Sequence, residues 1–208
     1  MLDEIVKMTE LDLKTIDAIA VAKGPGSFTG LRIGSATAKG LGLALDKPLV
    51  GIPTVEALAY NLYDVNGLIC PIMDARRKQV YTGIYRYEDH RLVTVKDQMA
   101  VGIEELLSML NEMGETVTFL GDGVPVFKDI IADKLEVPFS FAPSHLSRQR
   151  AGAVGALGIL YYKEGRTETA AEHKPDYLRV SQAERERAQR LKKNQKGKKH
   201  DLKRDAGG

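Results

Sequence analysis

The stretch AKGPGSFTGLRIGSATAKGLGLAL, residues 22–45, constrains the fold more than any other. It follows a short β-leaning run, Ile16 to Val21, and carries Gly24, Gly26, Gly30, Gly34, Gly40 and Gly42. Gly24, Pro25 and Gly26 read as a turn that ends a buried strand. From Phe28 to Leu45 the pattern is helical, with Ser27 placed to cap it and the Asp-Lys-Pro at 46–48 to close it. Each mid-helix glycine costs about 1 kcal/mol against alanine. The glycines therefore need a reason, either a cradle for phosphate or a surface against which something presses closely.

The phosphate motifs fail on spacing. Gly24, Gly26 and Gly30 leave one residue too many for G-x-G-x-x-G. Lys39 precedes Gly40 in mid-helix, where a G-x-x-x-x-G-K-[ST] loop needs its lysine at the loop end. What survives is generic: the N–H groups of Phe28, Thr29 and Gly30 open a helix and can meet an anion. The small residues make a sharper case. Gly30, Gly34, Ala38 and Leu41 share one face, Ser35, Ala36, Thr37 and Gly42 extend it, and Arg32 and Lys39 point elsewhere. So bare a surface admits another backbone at close range and recovers dispersion contacts. Its occupant is either this chain's own sheet or a second protein.

Elsewhere the chain alternates strands and helices. Residues 1–8 read as the end of a helix, with Leu2, Ile5 and Val6 at helical spacing. Leu49–Ile52 is a short strand and 54–63 a helix with Thr54 as its cap. Beyond Asn66-Gly67 come a buried strand at 68–75 and an antiparallel hairpin over 79–96 turning at Tyr-Glu-Asp-His. Helices follow at 102–114, 126–135 and 150–166, with a strand at 116–124 and an edge strand at 176–179. A parallel strand at 16–21 needs neighbours on both sides, and the first segment supplies only Leu49–Ile52.

No uninterrupted apolar stretch is long enough to span a membrane. The single cysteine, Cys70, excludes an intrachain disulfide and fits a reducing compartment, so a cytoplasmic protein is expected. Between Glu184 and Asp205 ten Lys/Arg face four Asp/Glu, a local sum of +6, and the net +2 leaves −4 for the rest. Such a tail can touch phosphate or RNA, yet it lacks aromatics for stacking, which favours a solvated terminus.

Four blocks in order, GPGSFTGLRIGSATAKGLGLAL (24–45), PLVGIPTVEALA (48–59), PIMDARRKQVYTGIY (71–85) and KPDYLRVSQAERE (174–186), resemble the TsaB family. TsaB is the bacterial subunit of the tRNA threonylcarbamoyladenosine machinery. The resemblance implies an α/β, two-lobed actin/hexokinase-like fold, each lobe built on a ribonuclease-H-like sheet. It implies a non-catalytic partner for TsaD, which transfers the threonylcarbamoyl group to tRNA, with the ATPase TsaE as a further partner. It also implies pairing through the first two helices, as homodimer or with TsaD, and contact with tRNA mainly through that complex. Family members begin with a hairpin, a third strand and a long helix, inside which Met1 falls, so an N-terminal lobe lacking its first strands is expected. The expected organisation is a truncated first lobe at 1–66, a second lobe at 67–181 and a basic, disordered tail at 182–208. Carried over to this sequence, the docking surface takes Gly24, Pro25, Gly26, Ser27, Phe28, Thr29 and Gly30 from the loop. The helix supplies Arg32, Ile33, Gly34, Thr37, Ala38 and Leu41, and the preceding helix Leu2, Ile5 and Val6.

Enzyme chemistry is hard to assemble. The catalytic relative binds metal through H-x-x-x-H, whereas His90, His145, His173 and His200 have no pair four apart. Cys70 lies in an apolar strand, Asp74 has no second carboxylate beside it, and Ser27 has neither a base nor the G-x-S-x-G elbow. No cofactor and no catalytic residue are expected. The alternative is a nucleotide-dependent actin-like enzyme using Ser27–Gly30 as a phosphate loop, or a relative of the glycoprotease-type peptidases.

Overall fold

The computed structural model describes residues 2–178. The basic tail and Arg179 lie outside the described residues. Residues 1–176 form one compact unit built on two sheets. The first is a parallel pair, β1 (Ile19–Gly24) and β2 (Leu49–Pro53), joined by helix α2 (Phe28–Leu45). Side chains alternate across it as a pleated strand requires. Ile19, Val21 and Leu49 cluster with Ala38 of α2, whereas Ala20, Val50 and Ile52 cluster with Leu157 and Tyr161 of helix α6 (Ala151–Lys163). Two strands are not stable alone; here a helix covers each face. The other edge of β1 pairs with no strand among the described residues. A cleft of about 580 Å³ lies between β1 and α6, lined by Ala18, Ala20, Gly155 and Ile159 among others.

The second sheet has the order β5-β4-β3-β6-β7. β3 (Leu68–Asp74) is central, antiparallel to β4 (Gln79–Glu88) and parallel to β6 (Val117–Leu120). β5 (Arg91–Gly102) completes the hairpin through Asp89 and His90, both at positive φ, and β7 (Phe139–Phe141) adds a parallel edge. Helices α4 (Ile103–Met113) and α5 (Val124–Lys134) cover one face through Leu106, Leu107, Leu110, Phe127 and Ile131. The other face carries Val55, Leu58 and Ala59 of α3 (Thr54–Ala59) on Ile69, Tyr85 and Leu120. Pro71 has no N–H to give a ladder. It sits in β3 between the β3–β4 partners Ile69↔Tyr85 and Ile72↔Thr82, in register with Leu120 of β6 on the other side.

Several boundaries differ from the sequence reading. β1 begins at Ile19 rather than Ile16, because Asp12 caps a 3-10 turn at Leu13–Thr15 and delays the strand. α3 stops at Ala59, and Thr54 is its first helical residue rather than its cap. The Thr54 hydroxyl is buried without a partner, and Pro53 holds the cap position. Residues 176–178 form no strand, and Tyr177 is exposed.

Candidate docking site

Helix α1 (Leu2–Thr9) buries none of its residues. Leu2 and Ile5 are 46% and 47% exposed and Val6 is half-buried, while Asp3 and Lys7 pair at 2.8 Å, one turn apart. An amphipathic helix is held mainly by what covers its apolar face. Nothing in this chain's described core does so for α1.

α2 divides into two faces. Ser35, Ala38 and Gly42, at the 3–4 spacing of one helical stripe, are buried against β1 and β2. Outward stand Phe28, Thr29, Gly30, Arg32, Thr37, Ile33 at 63% exposure and Leu43 at 74%; Gly34 and Leu41 are half-buried. Arg32 lies over the Phe28 ring at 5.5 Å, a cation–π contact. The Ser27 hydroxyl accepts from Gly30 N–H at 3.4 Å, as the cap position predicts.

The glycines sort the same way. A Cβ on Gly42 would meet Leu49 Cδ1 at 2.5 Å and Lys47 O at 3.0 Å, so that glycine serves the chain's own packing. Gly24, at φ +124, holds a conformation that L residues avoid, and its Cβ would strike the Asp176 carbonyl. On Gly34 and Gly40, by contrast, a Cβ would find nothing within 4 Å, and on Gly30 only its own Ser27 at 3.5 Å. These three bear the helix cost of glycine with no steric cause in this chain. Of the residues carried over as a docking surface, Gly24, Pro25 and Ala38 are buried and face inward. Gly26 is half-buried and Ser27 exposed at the helix entrance.

A polar constellation near α2 was not legible in sequence. Ser35 Oγ shares a 3.0 Å hydrogen bond with His173 Nε2, and His173 Nδ1 lies 2.8 Å from Glu168 Oε1. Serine, histidine and carboxylate in that order resemble a hydrolytic triad. The site is closed to such chemistry: Ser35 is 4% and His173 1% exposed, and neither lines the cleft between β1 and α6. The arrangement instead fastens the segment 167–176 across the first sheet. Glu168 exchanges backbone bonds with Leu49, Asp176 N–H donates to Lys23 O at 2.6 Å, and Lys39 Nζ donates to His173 O at 3.1 Å.

Other candidate chemistry is also occupied. Burial pushes the Cys70 thiol up to about 12, with Thr82 Oγ1 at 3.5 Å, leaving it protonated and inert. A second carboxylate does stand beside Asp74, contrary to the sequence reading: Asp122 Oδ1 accepts from Asp74 N–H at 3.3 Å. Asp74 itself accepts from Arg76 N–H at 2.8 Å and pairs with the Arg76 guanidinium at 3.2 Å. Among the described residues no group of three or more His, Cys, Asp or Glu could hold a metal ion.

Glu56 on α3 is a half-buried acid with a displaced equilibrium. Desolvation raises its pKa, against the opposing Tyr161 hydroxyl, which donates to it at 2.6 Å. The folded protein thus holds this proton more tightly than the unfolded chain. Glu56 therefore lowers stability as pH rises above about 4.5, the unfolded value. In Glu56→Gln, which keeps an acceptor for Tyr161, urea midpoints between that pH and neutrality are expected to fall less steeply than in the parent.

Over residues 1–187 the chain matches the family model described as "TsaD: tRNA N6-adenosine threonylcarbamoyltransferase", which defines its broad class. Within that class its likenesses to individual proteins are more specific. It is 39% identical to the tRNA threonylcarbamoyladenosine biosynthesis protein TsaB of Bacillus subtilis (strain 168), over 81% of this chain and 72% of that one. It is 28% identical to the TsaB protein of Escherichia coli (strain K12), over 86% and 78% of the two chains. The chain belongs to the TsaB family. The solved structure of YeaZ from Pseudomonas aeruginosa superposes with a TM-score of 0.70 at 22% identity, over 86% of this chain and 81% of that one. The fold is accordingly of the actin-like, ribonuclease-H-like α/β class. No described helix is long and apolar enough to cross a membrane.

Proposed function

We propose that this chain serves in the cytoplasm as a non-catalytic subunit in the synthesis of threonylcarbamoyladenosine on tRNA, docking on the catalytic TsaD subunit through α1 and the outer face of α2. One observation carries the reading: a Cβ on Gly30, Gly34 or Gly40 would meet no other element of the chain, on a helix that also exposes Ile33 and Leu43. Helix stability has been given up there with no internal return, as a close helix–helix approach across an interface requires. TsaE and a second copy of the chain are further partners of the same kind of assembly. In this reading α1 and α2 carry the docking, α6 and the segment 167–176 complete the packing of their sheet, and the second sheet supports it.

Chemistry then resides in the partner. The hydroxyl of Ser27 and the Gly30 N–H satisfy each other, which weakens the loop as a phosphate cradle. The test is capture of purified TsaD by the full chain, with turnover measured for each alone and together. TsaD is expected to be retained, and modified tRNA to form only in the presence of TsaD, TsaE and the threonylcarbamoyl-adenylate supply. Modification of tRNA by the chain unaided, or magnesium-dependent ATP hydrolysis by it, would overturn the proposal.

A further inference from the structure

The hairpin tip between β3 and β4 holds three consecutive residues in the left-handed region: Arg76 at φ 64, Arg77 at φ 57 and Lys78 at φ 58. Long basic side chains have no intrinsic preference for that conformation, which costs each of them steric strain. Such strain persists only where surrounding structure enforces it, and it gathers at functional sites. The enforcement here is visible. Ala75 N–H donates to Gln79 O at 3.0 Å, Gln79 N–H to Arg76 O at 3.1 Å, and Ile103 N–H to Lys78 O at 3.0 Å. Asp74 accepts from Arg76 N–H from within the turn. The backbone is locked while all three side chains stand exposed in solvent.

The surroundings place this tip at the carboxyl ends of the parallel strands β3 and β6, where ligands of open α/β sheets gather. Asp122 follows β6 and accepts from Asp74 N–H, and Gly121 N–H donates to Ser147 Oγ at 3.2 Å. That bond brings the loop carrying exposed Arg148 to the same end of the sheet. The carboxylates there have partners: Asp74 engages Arg76, Asp122 the Asp74 backbone, and Glu104 pairs with Lys134 at 2.7 Å while its charge also faces Lys78. Arg77, Lys78 and Arg148 enter no ion pair among the described residues.

We infer that this end of the second sheet is a contact surface for the phosphate backbone of RNA, formed by Arg77, Lys78 and Arg148. A polyanion fits better than a single phosphate group, because the cations are exposed, are split between two loops and do not line the cleft beside β1. The surface is separate from the α2 docking face, so either can fail without the other.

The test uses the full chain and an unmodified tRNA transcript, with binding followed by fluorescence anisotropy across a salt series. The basic run at 184–205 supplies a background common to every variant. Each phosphate contact lowers the slope of log affinity against log salt by about 0.7–0.9. Arg77→Gly with Lys78→Gly is therefore expected to flatten that slope by about 1.5 and weaken binding roughly tenfold or more at physiological salt. Glycine relieves the left-handed strain, so the same variant is expected to melt at a higher temperature. Arg148→Ser is expected to flatten the slope by roughly half as much. Unchanged binding in these variants would overturn the inference. So would an equal loss in Lys96→Ser with Lys128→Ser, which would mean that only net charge matters. Equal protection of the surface by polyglutamate would assign it to an acidic protein instead, and displacement by inorganic phosphate at low millimolar levels would assign it to a small anion.

Discussion

Gly34→Leu is expected to abolish capture of TsaD, lowering affinity at least about a hundredfold, while leaving the chain folded and slightly more stable. The two halves of that outcome have separate causes. Within the chain a Cβ at Gly34 meets nothing within 4 Å, so the side chain leaves the helix without a clash. Replacing glycine by leucine in a helix gains close to 0.8 kcal/mol in propensity. Against a docked helix the same side chain occupies the space that makes close approach possible, and a loss of about 2.8 kcal/mol corresponds to a hundredfold in affinity. Gly42 supplies the control on the same helix. Gly42→Leu is expected to unfold the first sheet, because its Cβ would already press on Leu49 at 2.5 Å and Lys47 O at 3.0 Å. Thermal melts and pull-down on both variants separate docking from packing. Retained capture with Gly34→Leu would remove the account of the outward glycines.

Gly121→Ala is expected to cost about 3–4 kcal/mol, since backbone strain and a backbone clash both add there. Gly121 sits at φ +111, and a Cβ there would strike the carbonyl of Ile72. That oxygen cannot move aside, because it accepts from Gly123 N–H at 3.0 Å and belongs to the central strand β3. The turn between β6 and α5 thus depends on having no side chain at that point. Urea unfolding checks the expectation: a midpoint within experimental error of the parent would show that the turn can relax.

Much of this was legible in the chain because local signals were strong. α2 runs from Phe28 to Leu45 as read, since Ser27 caps it and Asp46, at φ 51, ends it before Pro48. The hairpin, β3 and α4 also stand where their periodicity puts them. β7 escaped because Phe139–Phe141 has only three residues and takes its identity from pairing with β6. At the docking site the small-residue helix could be read, but not its phase. Ala38 turns inward because β1 and β2 select which stripe is covered, a tertiary decision that the helical period leaves open. The Ser35–His173 bond spans 138 residues, and no pattern in one sequence joins such positions. Arg76, Arg77 and Lys78 follow a strand end as a turn, but nothing in them signals positive φ, which glycine and asparagine are the residues to announce.

Helix α3 has a consequence beyond its size. Its six residues form a wall of both sheets at once: Ala57 joins the cluster of Val50 and Ile52, while Val55, Leu58 and Ala59 join that of Ile69 and Leu120. A hinge between the two sheets would have to tear α3 from one of them, exposing side chains such as Leu58 that are now wholly dry. Breathing motions that separate the two sheets are therefore costly, and the pair moves as a single piece.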